Sequence, residues 1–530
     1  MRLKSILLIL GMVVITATVV IMMGQLIATS TSTSTSTSTS TSTSTSTAAP
    51  TYYVDSRGND NNAGTKKSPW RTLQHAADAA KPGSTVYVRE GVYNQKLKIT
   101  RSGSARGGSI TFSNFPKERA IIDGSGLSVT GQQGIVEIED ASYITIKGFE
   151  IRNFITTKTE QLPIGIYVHG SGSYIKILNN KVHDIKNTAA PTGRDLLGRD
   201  AHGIAVYGTD APDSIHHVTI EGNELYKLVL GSSESLVLNG NVDTFSVMNN
   251  LIHDNDNIGI DLIGFEGTAP HPSYDQVRNG LVSGNTVYNI TSNFNPSYGK
   301  SLPNNSNAAG GIYVDGGKDS IIERNYSYKN DIGIEIASEH AGKSTSDITV
   351  RSNIVHSNRY TGITLGGYDS ERGATINCKI INNTLYQNNS LNDGSGQILL
   401  QYDTKNNMIT NNIIFADSSN VFIYNEYTKN SENVVDYNLY YAPGEVSKAT
   451  WIWKNKEYVG FHSYRTSTRN DEHSIFADPK FVNQATNNFH LKADSAAIDA
   501  GRSYSSIIKT LDIDGQGRLQ GTSINIGADE

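Results

Sequence analysis

The sequence predicts an all-β chain wound as a right-handed parallel β-helix. Three observations predict it. First, Asn followed by an apolar or aromatic pair recurs through most of the chain. It stands at Asn180 (Val182, His183), Asn223 (Leu225, Tyr226), Asn250 (Ile252, His253), Asn285 (Val287, Tyr288), Asn325 (Tyr328), Asn353 (Val355, His356), Asn383 (Leu385, Tyr386), Asn412 (Ile414, Phe415) and Asn438 (Tyr440). Successive spacings of 43, 27, 35, 40, 28, 30, 29 and 26 residues give a base period in the high twenties with insertions. That is a solenoid signature. Second, Gly-Ile-x-(Val/Ile/Leu) recurs at Gly165, Gly203, Gly259, Gly311, Gly333 and Gly362, and strict alternation over so few residues is strand. Third, another short strand precedes the Asn, as in Ile175-Lys-Ile and Val218-Thr-Ile. Two or three strands per repeat, turning at Asn and Gly, close one coil. Asn suits the corner because it tolerates left-handed backbone, and it stacks in ladders between coils. The repeat asparagines are therefore read as a structural ladder. His183, His253 and His356 occupy the aromatic turn position and are read as structural too.

Taken in order, the chain divides into five parts. Residues 1–28 place Arg2 and Lys4 before an apolar run from Ile6 to Ile27, a signal peptide or an N-terminal membrane anchor with a cytoplasmic start. Export to the outside or to the cell surface is expected, with membrane contact through that segment only. Residues 29–50 are a Thr/Ser linker without apolar residues to pack. Residues 51–125 form a cap and the first coils. Within them Trp70–Ala80 reads as a helix, capped by Ser68, with Pro69 in its first turn and Leu73, Ala76, Ala77 and Ala80 on one face. It would cover the open end of the coil stack. Residues 126–445 are the β-helix with its site loops, and 446–530 an end block. The net charge of −6 argues against a nucleic-acid partner. Cys378 is the single cysteine, which excludes an intrachain disulfide, and its alternation with Ile376 and Ile380 points it inward. A monomer is expected.

A resemblance adds to this reading. Tyr52-Tyr-Val-Asp-Ser-Arg-Gly-Asn-Asp-Asn-Asn-Ala-Gly-Thr, Ser68-Pro-Trp-Arg-Thr-Leu-Gln-His-Ala-Ala and Pro82-Gly-Ser-Thr-Val-Tyr-Val-Arg-Glu-Gly-Val-Tyr resemble the opening of secreted β-helix proteins of the pectin-lyase-like superfamily. The run is similar to polysaccharide lyase family 9 and to β-helix glycosidases. Phe476-Ala-Asp-Pro, Ala497-Ile-Asp-Ala-Gly, Asp512-Ile-Asp-Gly and Ile526-Gly-Ala-Asp-Glu resemble a block that ends many such proteins. One scaffold hosts many chemistries, so the site must be argued from its residues.

Stacking the Gly-Ile-x-Val strands in register puts Tyr167, Ala205, Val237, Asp261, Tyr313, Glu335 and Thr364 in one outward column. His169, Tyr207, Asn239, Ile263, Asp315 and Ala337 form its neighbour. Coils lie about 4.8 Å apart, so Asp261, Tyr313, Asp315 and Glu335 share one patch. Two long insertions, 265–279 and 291–309, flank it as cleft walls. Three readings remain open, with calcium-assisted elimination placed first and the other two as alternatives. In the first, Asp254, Asp256 and Asp261 bind Ca2+, joined by Asp200 or Glu234. The family 9 resemblance implies this, with β-elimination on an acidic polysaccharide. Asn257 replaces an expected aspartate, and Tyr313 replaces the lysine base. Tyr313 serves only with a lowered pKa, helped by Arg278 or Lys300. In the second, Asp315 and Glu335 are the nucleophile and acid of a glycoside hydrolase, as in the β-helix xylosidases that these strands resemble. Glu339 is the alternative acid, with His340 orienting it, and Arg278, His340 and Tyr207 touch substrate. Carboxyl groups about 5–5.5 Å apart retain configuration and those about 6.5–9.5 Å apart invert it. In the third, the face binds glycan without chemistry.

Overall fold

The computed structural model describes residues 49–190, 196–416, 421–444 and 446–530. The expected leader or anchor, 1–28, and nearly all of the 29–50 linker lie outside the described residues. Three sheets of 13 strands each run the length of the stack. Each coil gives one strand to each sheet. The first sheet takes the strand before the repeat Asn, such as Gly172–Leu178 and Ile215–Glu221. The third takes the short strand after it, such as Lys181–His183 and Glu224–Tyr226. The second takes the Gly-Ile-x-Val strands, here Leu162–Gly170, His202–Gly208, Leu236–Gly240, Ile260–Ile263, Gly310–Asp315, Ile332–Ala337 and Thr361–Leu365. Coil-to-coil pairing is parallel. The stack closes with Ile475–Phe476 against Leu439 and Tyr440.

Alternation fills the core with columns of aliphatic side chains. Ile166, Ile204, Leu236, Ile260, Ile312, Ile334 and Ile363 follow one another in register, and all are fully buried. Each such side chain stabilises the fold by about 1.5–3 kcal/mol relative to exposure.

The asparagine corner fixes the register. In every coil from Asn180 to Asn412 the backbone N–H and the Nδ2 of one repeat Asn both donate to the Oδ1 of the next, at 2.9–3.1 Å. Nδ2 also donates to a first-sheet carbonyl, as from Asn285 to Val247 at 2.9 Å. A second ladder, not anticipated from sequence, runs through Asn330, Asn358, Asn388 and Gln397. On the outer face of the third sheet the rings of His183, Tyr226, His253, Tyr288, Tyr328 and His356 stack at 4.8–5.4 Å, within 14° of parallel. The three histidines are thus rungs of an aromatic ladder.

The end segment folds back over the third sheet, where Phe481, Phe489 and Ile526 join Tyr386, Ile413 and Phe415 in one apolar cluster. Cys378 is buried, as its alternation implied. The N-terminal helix is shorter than expected, Leu73–Ala79, and Thr72 caps it by accepting from His75 N at 3.2 Å. Asp60 holds Arg71 N, Thr72 N and the Thr72 hydroxyl. Ser68 and Pro69 therefore stay outside the helix, and Trp70 stacks on Tyr52 at 4.7 Å.

The ladder predicts a stability cost. In Asn285→Ala the buried N–H and Nδ2 of Asn250 lose their shared acceptor. Urea unfolding is expected to show a loss of about 2–4 kcal/mol, and the exposed Asn305→Ala a change within about 0.5 kcal/mol.

Candidate active site

The outer face of the second sheet carries the site. Val237, Asp261, Tyr313, Glu335 and Thr364 pair on consecutive coils. Asp315 lies two residues beyond Tyr313, on the same face, and pairs with Ala337. The chain then leaves the sheet at Gly316, whose φ of +80° suits glycine.

These residues face outward from the coil but not into open solvent, which corrects the simple reading of the columns. Asp261 is 1 % exposed, Tyr313 and Asp315 4 %, and Glu335 6 %. The two long insertions fold over the face. Buried Asp275 organises the first by accepting from Gly267 N and Ala269 N. Buried Asp331 ties both feet of the second together, accepting from Thr291 Oγ1, Ser292 N, Ser292 Oγ and Ala309 N. That second loop docks through Asn295, which donates to the carbonyls of Gly231 and Asp256, and through the Tyr298 hydroxyl on Asn257. An apolar patch of Ile164, Tyr167, Ala205, Val237 and Ile263 continues the face toward the N-terminal coils.

Under this roof the acids crowd. Glu339 N donates to Asp315 Oδ1 at 2.7 Å, and the Tyr313 hydroxyl donates to Glu339 Oε1 at 3.3 Å. Arg372 Nη1 donates to the Glu339 carbonyl at 3.4 Å. Burial, with mutual repulsion among neighbours, pushes Glu234, Asp261 and Asp315 well above the carboxylate range. Burial and the charges of Glu339 and Asp315 push Glu335 up to about 8. Asp261 Oδ1 is buried without a hydrogen-bond partner. Such a site cannot keep every carboxyl ionised, because charges in low dielectric repel strongly.

Several expectations need correction. Asp254, Asp256 and Asp261 do not converge. Asp254 stands at a left-handed corner (φ 54°) and bonds His253 and Asn289. Asp256 accepts from Leu230 N at 2.8 Å, and burial pushes it up to about 7. Both line a separate cavity with Phe294, Lys329 and Arg359. Calcium takes six to eight oxygens, so this trio does not fit it. Among the described residues, the groups whose donor atoms lie within 4.8 Å of one another are Glu137/Glu139/His169, Glu266/Asp315/His340 and His490/Asp514/Asp529. The one at the site brings an imidazole, a ligand suited to transition metals more than to calcium. Tyr313 does not have the lowered pKa a base requires; burial raises it far above its ordinary value. Arg278 is committed elsewhere, paired with Asp243 at 3.0 Å and bonded to Asn241.

Tyr207 donates to His202 Nε2 at 3.0 Å, and His202 Nδ1 lies 3.4 Å from Glu234 Oε2. Glu234, read from sequence as an added calcium ligand, is thus the end of a buried chain reaching the acid cluster. Glu266, held by Asn239 Nδ2 at 2.7 Å, and Arg372 were also missed. Both come from loops, where no repeat position marks them. Glu339 and His340 border the cluster as expected, and His340 Nε2 has no hydrogen-bond partner.

Known proteins place this geometry in context. A family model of the Pel9A-like right-handed β-helix region matches residues 52–215. The uncharacterized protein YwoF of Bacillus subtilis is 46% identical over 446 residues, covering 84% of this chain and 91% of that one. Pectate lyase PEL9 of Emericella nidulans is 27% identical over 206 residues, 36% of this chain and 46% of that one. Among solved structures, XylC in complex with xylose matches 90% of this chain and 98% of its own, with a TM-score of 0.57 at 13% identity, a likeness of fold. The chain belongs to the same family as YwoF, and its residues 52–215 match the Pel9A-like right-handed β-helix region.

Proposed function

We propose that this protein is a polysaccharide-processing enzyme that hydrolyses glycosidic bonds, with Asp315 and Glu335 as the working pair. One observation carries the reading: Asp315 and Glu335 face one roofed groove from adjacent coils, in unlike surroundings. Burial and the Glu339 charge raise Asp315 as well, and against them stand the Glu339 N–H and the Arg372 charge, which favour its ionised form. Glu335 has little beyond the Thr364 hydroxyl to support a charge and keeps its proton at neutral pH. Both carboxyls are raised, and the one with the better support for a charge is assigned as base or nucleophile and the other as acid. Glu335 gives its proton to the glycosidic oxygen as the C1–O bond breaks. Asp315 either bonds to C1 or takes a proton from the attacking water. Glu339 positions Asp315 through its N–H, and Tyr313 holds Glu339. The cleft binds a polysaccharide outside the cell in this reading, and no metal is needed.

β-Elimination is the second reading, favoured by the likeness to PEL9. It needs a strong base and a cation to neutralise a uronate. The raised Tyr313 and the unconverged aspartates count against it.

Incubation with xylan, pectic and alginate substrates is expected to release reducing ends without the absorbance of unsaturated sugars, and chelator to leave the rate unchanged. Unsaturated product that chelator abolishes would instead establish elimination. Asp315→Asn and Glu335→Gln are each expected to lower kcat by about 10²–10⁴-fold.

Stability should carry the same signature. A carboxyl raised from an ordinary 4.5 to about 8 binds its proton more tightly when folded. Its contribution is full below the unfolded pKa and is lost as pH rises toward 8. Thermal melting is expected to fall from pH 5 to pH 8.5, and Glu335→Gln to reduce that fall while matching wild type at pH 4.

A further inference from the structure

Beyond the acids, where Arg372 reaches the Glu339 carbonyl, lies a region of opposite charge. The loop that carries Glu339 runs on to Lys343, and with the following coils it walls a cavity of about 400 Å³. Lys343, Arg372, Lys405 and Lys429 line it against a single lining carboxylate, Asp403. Lys405 and Lys429 share that carboxylate at 2.7 and 3.0 Å. Lys429 Nζ also donates to the Tyr402 hydroxyl at 2.6 Å and lies 4.3 Å from its ring centre. Arg372 lies over Tyr368 at 4.5 Å, with Asp369 at 3.8 Å. Through its bond to the Glu339 carbonyl it joins the cavity to the acid cluster. Even with Asp369 counted, cations outnumber carboxylates two to one. The four cations follow strands of four successive coils, Ile332–Ala337, Thr361–Leu365, Ile398–Leu400 and Val421–Asn425, so they reach roughly 14 Å along the stack.

The two halves of the groove select against different sugars. A carboxylate at the cleavage point would face Asp261, Asp315, Glu335 and Glu339. A neutral unit in the basic cavity would add no anion to four cations that share two carboxylates. A homopolymer of uronic acid, charged at every unit, must at the first position desolvate a carboxylate among carboxyls that are themselves too poorly solvated to ionise freely. A neutral homopolymer gains nothing at the second. We propose that the cavity is a subsite for one anionic unit, carboxylated or sulfated, of a heteroglycan whose neutral unit lies against Asp315 and Glu335. The placement of the neutral unit rests on the hydrolase reading; the basic subsite does not.

The test is calorimetric binding to the full chain of length-matched oligosaccharides. The probes are a neutral xylo-oligosaccharide, an oligogalacturonate, a desulfated chondroitin oligosaccharide with uronate at alternate units, and a keratan sulfate oligosaccharide with sulfate on neutral sugars. At least one of the last two is expected to bind tenfold or more tighter than the first two, and which one identifies the anion. High salt should weaken that binding, because the cations are partly exposed. Lys405→Met/Lys429→Met should weaken it at least tenfold, and Lys405→Arg/Lys429→Arg should retain it. Oligogalacturonate binding as tightly, charged probes binding no better than xylo-oligosaccharide, or indifference to the double methionine variant overturns the proposal. Reducing-end release in the same samples reports on hydrolysis separately. Lysine-dependent binding without cleavage removes the hydrolase reading and leaves the subsite standing.

Discussion

Everything at the site depends on register between coils. In a strand, a slip of one residue turns every outward side chain inward. Here the spacing between repeats varies widely, because loops of different length leave the coil. The buried asparagine corner removes the freedom those insertions would otherwise give. Each Asn satisfies the N–H of its neighbour with a side-chain oxygen, and a slipped coil would leave those groups buried and unpaired, at about 1–3 kcal/mol each. The core column of Ile and Leu then only has to fill space.

The second determinant is the roof. An exposed row of acids on a solenoid is a solvated face, with ordinary pKa values. Asp275 and Asp331 fold two loops over this row and remove its water. Desolvation and repulsion then force the carboxyls to hold protons, which converts a charged surface into a set of acids and bases at neutral pH. Downstream, beyond the end of the roof, Lys405 and Lys429 stay partly exposed. Burial above and exposure below give one groove two electrostatic characters.

Much of this was legible in the sequence. The outward column from Tyr167 to Thr364 pairs residue for residue as the Gly-Ile-x-Val alternation implies, because strand period and buried apolar positions leave one register. The roof was not legible, since Asp275 and Asp331 look like any other loop acids until the atoms they bond are known. Asp254, Asp256 and Asp261 are close in sequence, yet a left-handed corner and a loop send them to different faces. Glu234 was undervalued because its partner His202 comes from the preceding coil. Thr72 displaced Ser68 as helix cap because Asp60 seizes it from twelve residues away. Local patterns carried the scaffold, whereas single long-range hydrogen bonds decided the site.

The central claim is that a roofed, register-locked cluster holds Glu335 protonated at neutral pH. Infrared difference spectra of wild type against Glu335→Gln, recorded across pH, test it directly. The account predicts that the wild type shows, beyond the bands the other buried carboxyls give in both proteins, a carboxylic-acid C=O band at pH 6–7 that gives way to carboxylate near pH 8. A Glu335 signal already ionised at pH 6 would contradict it.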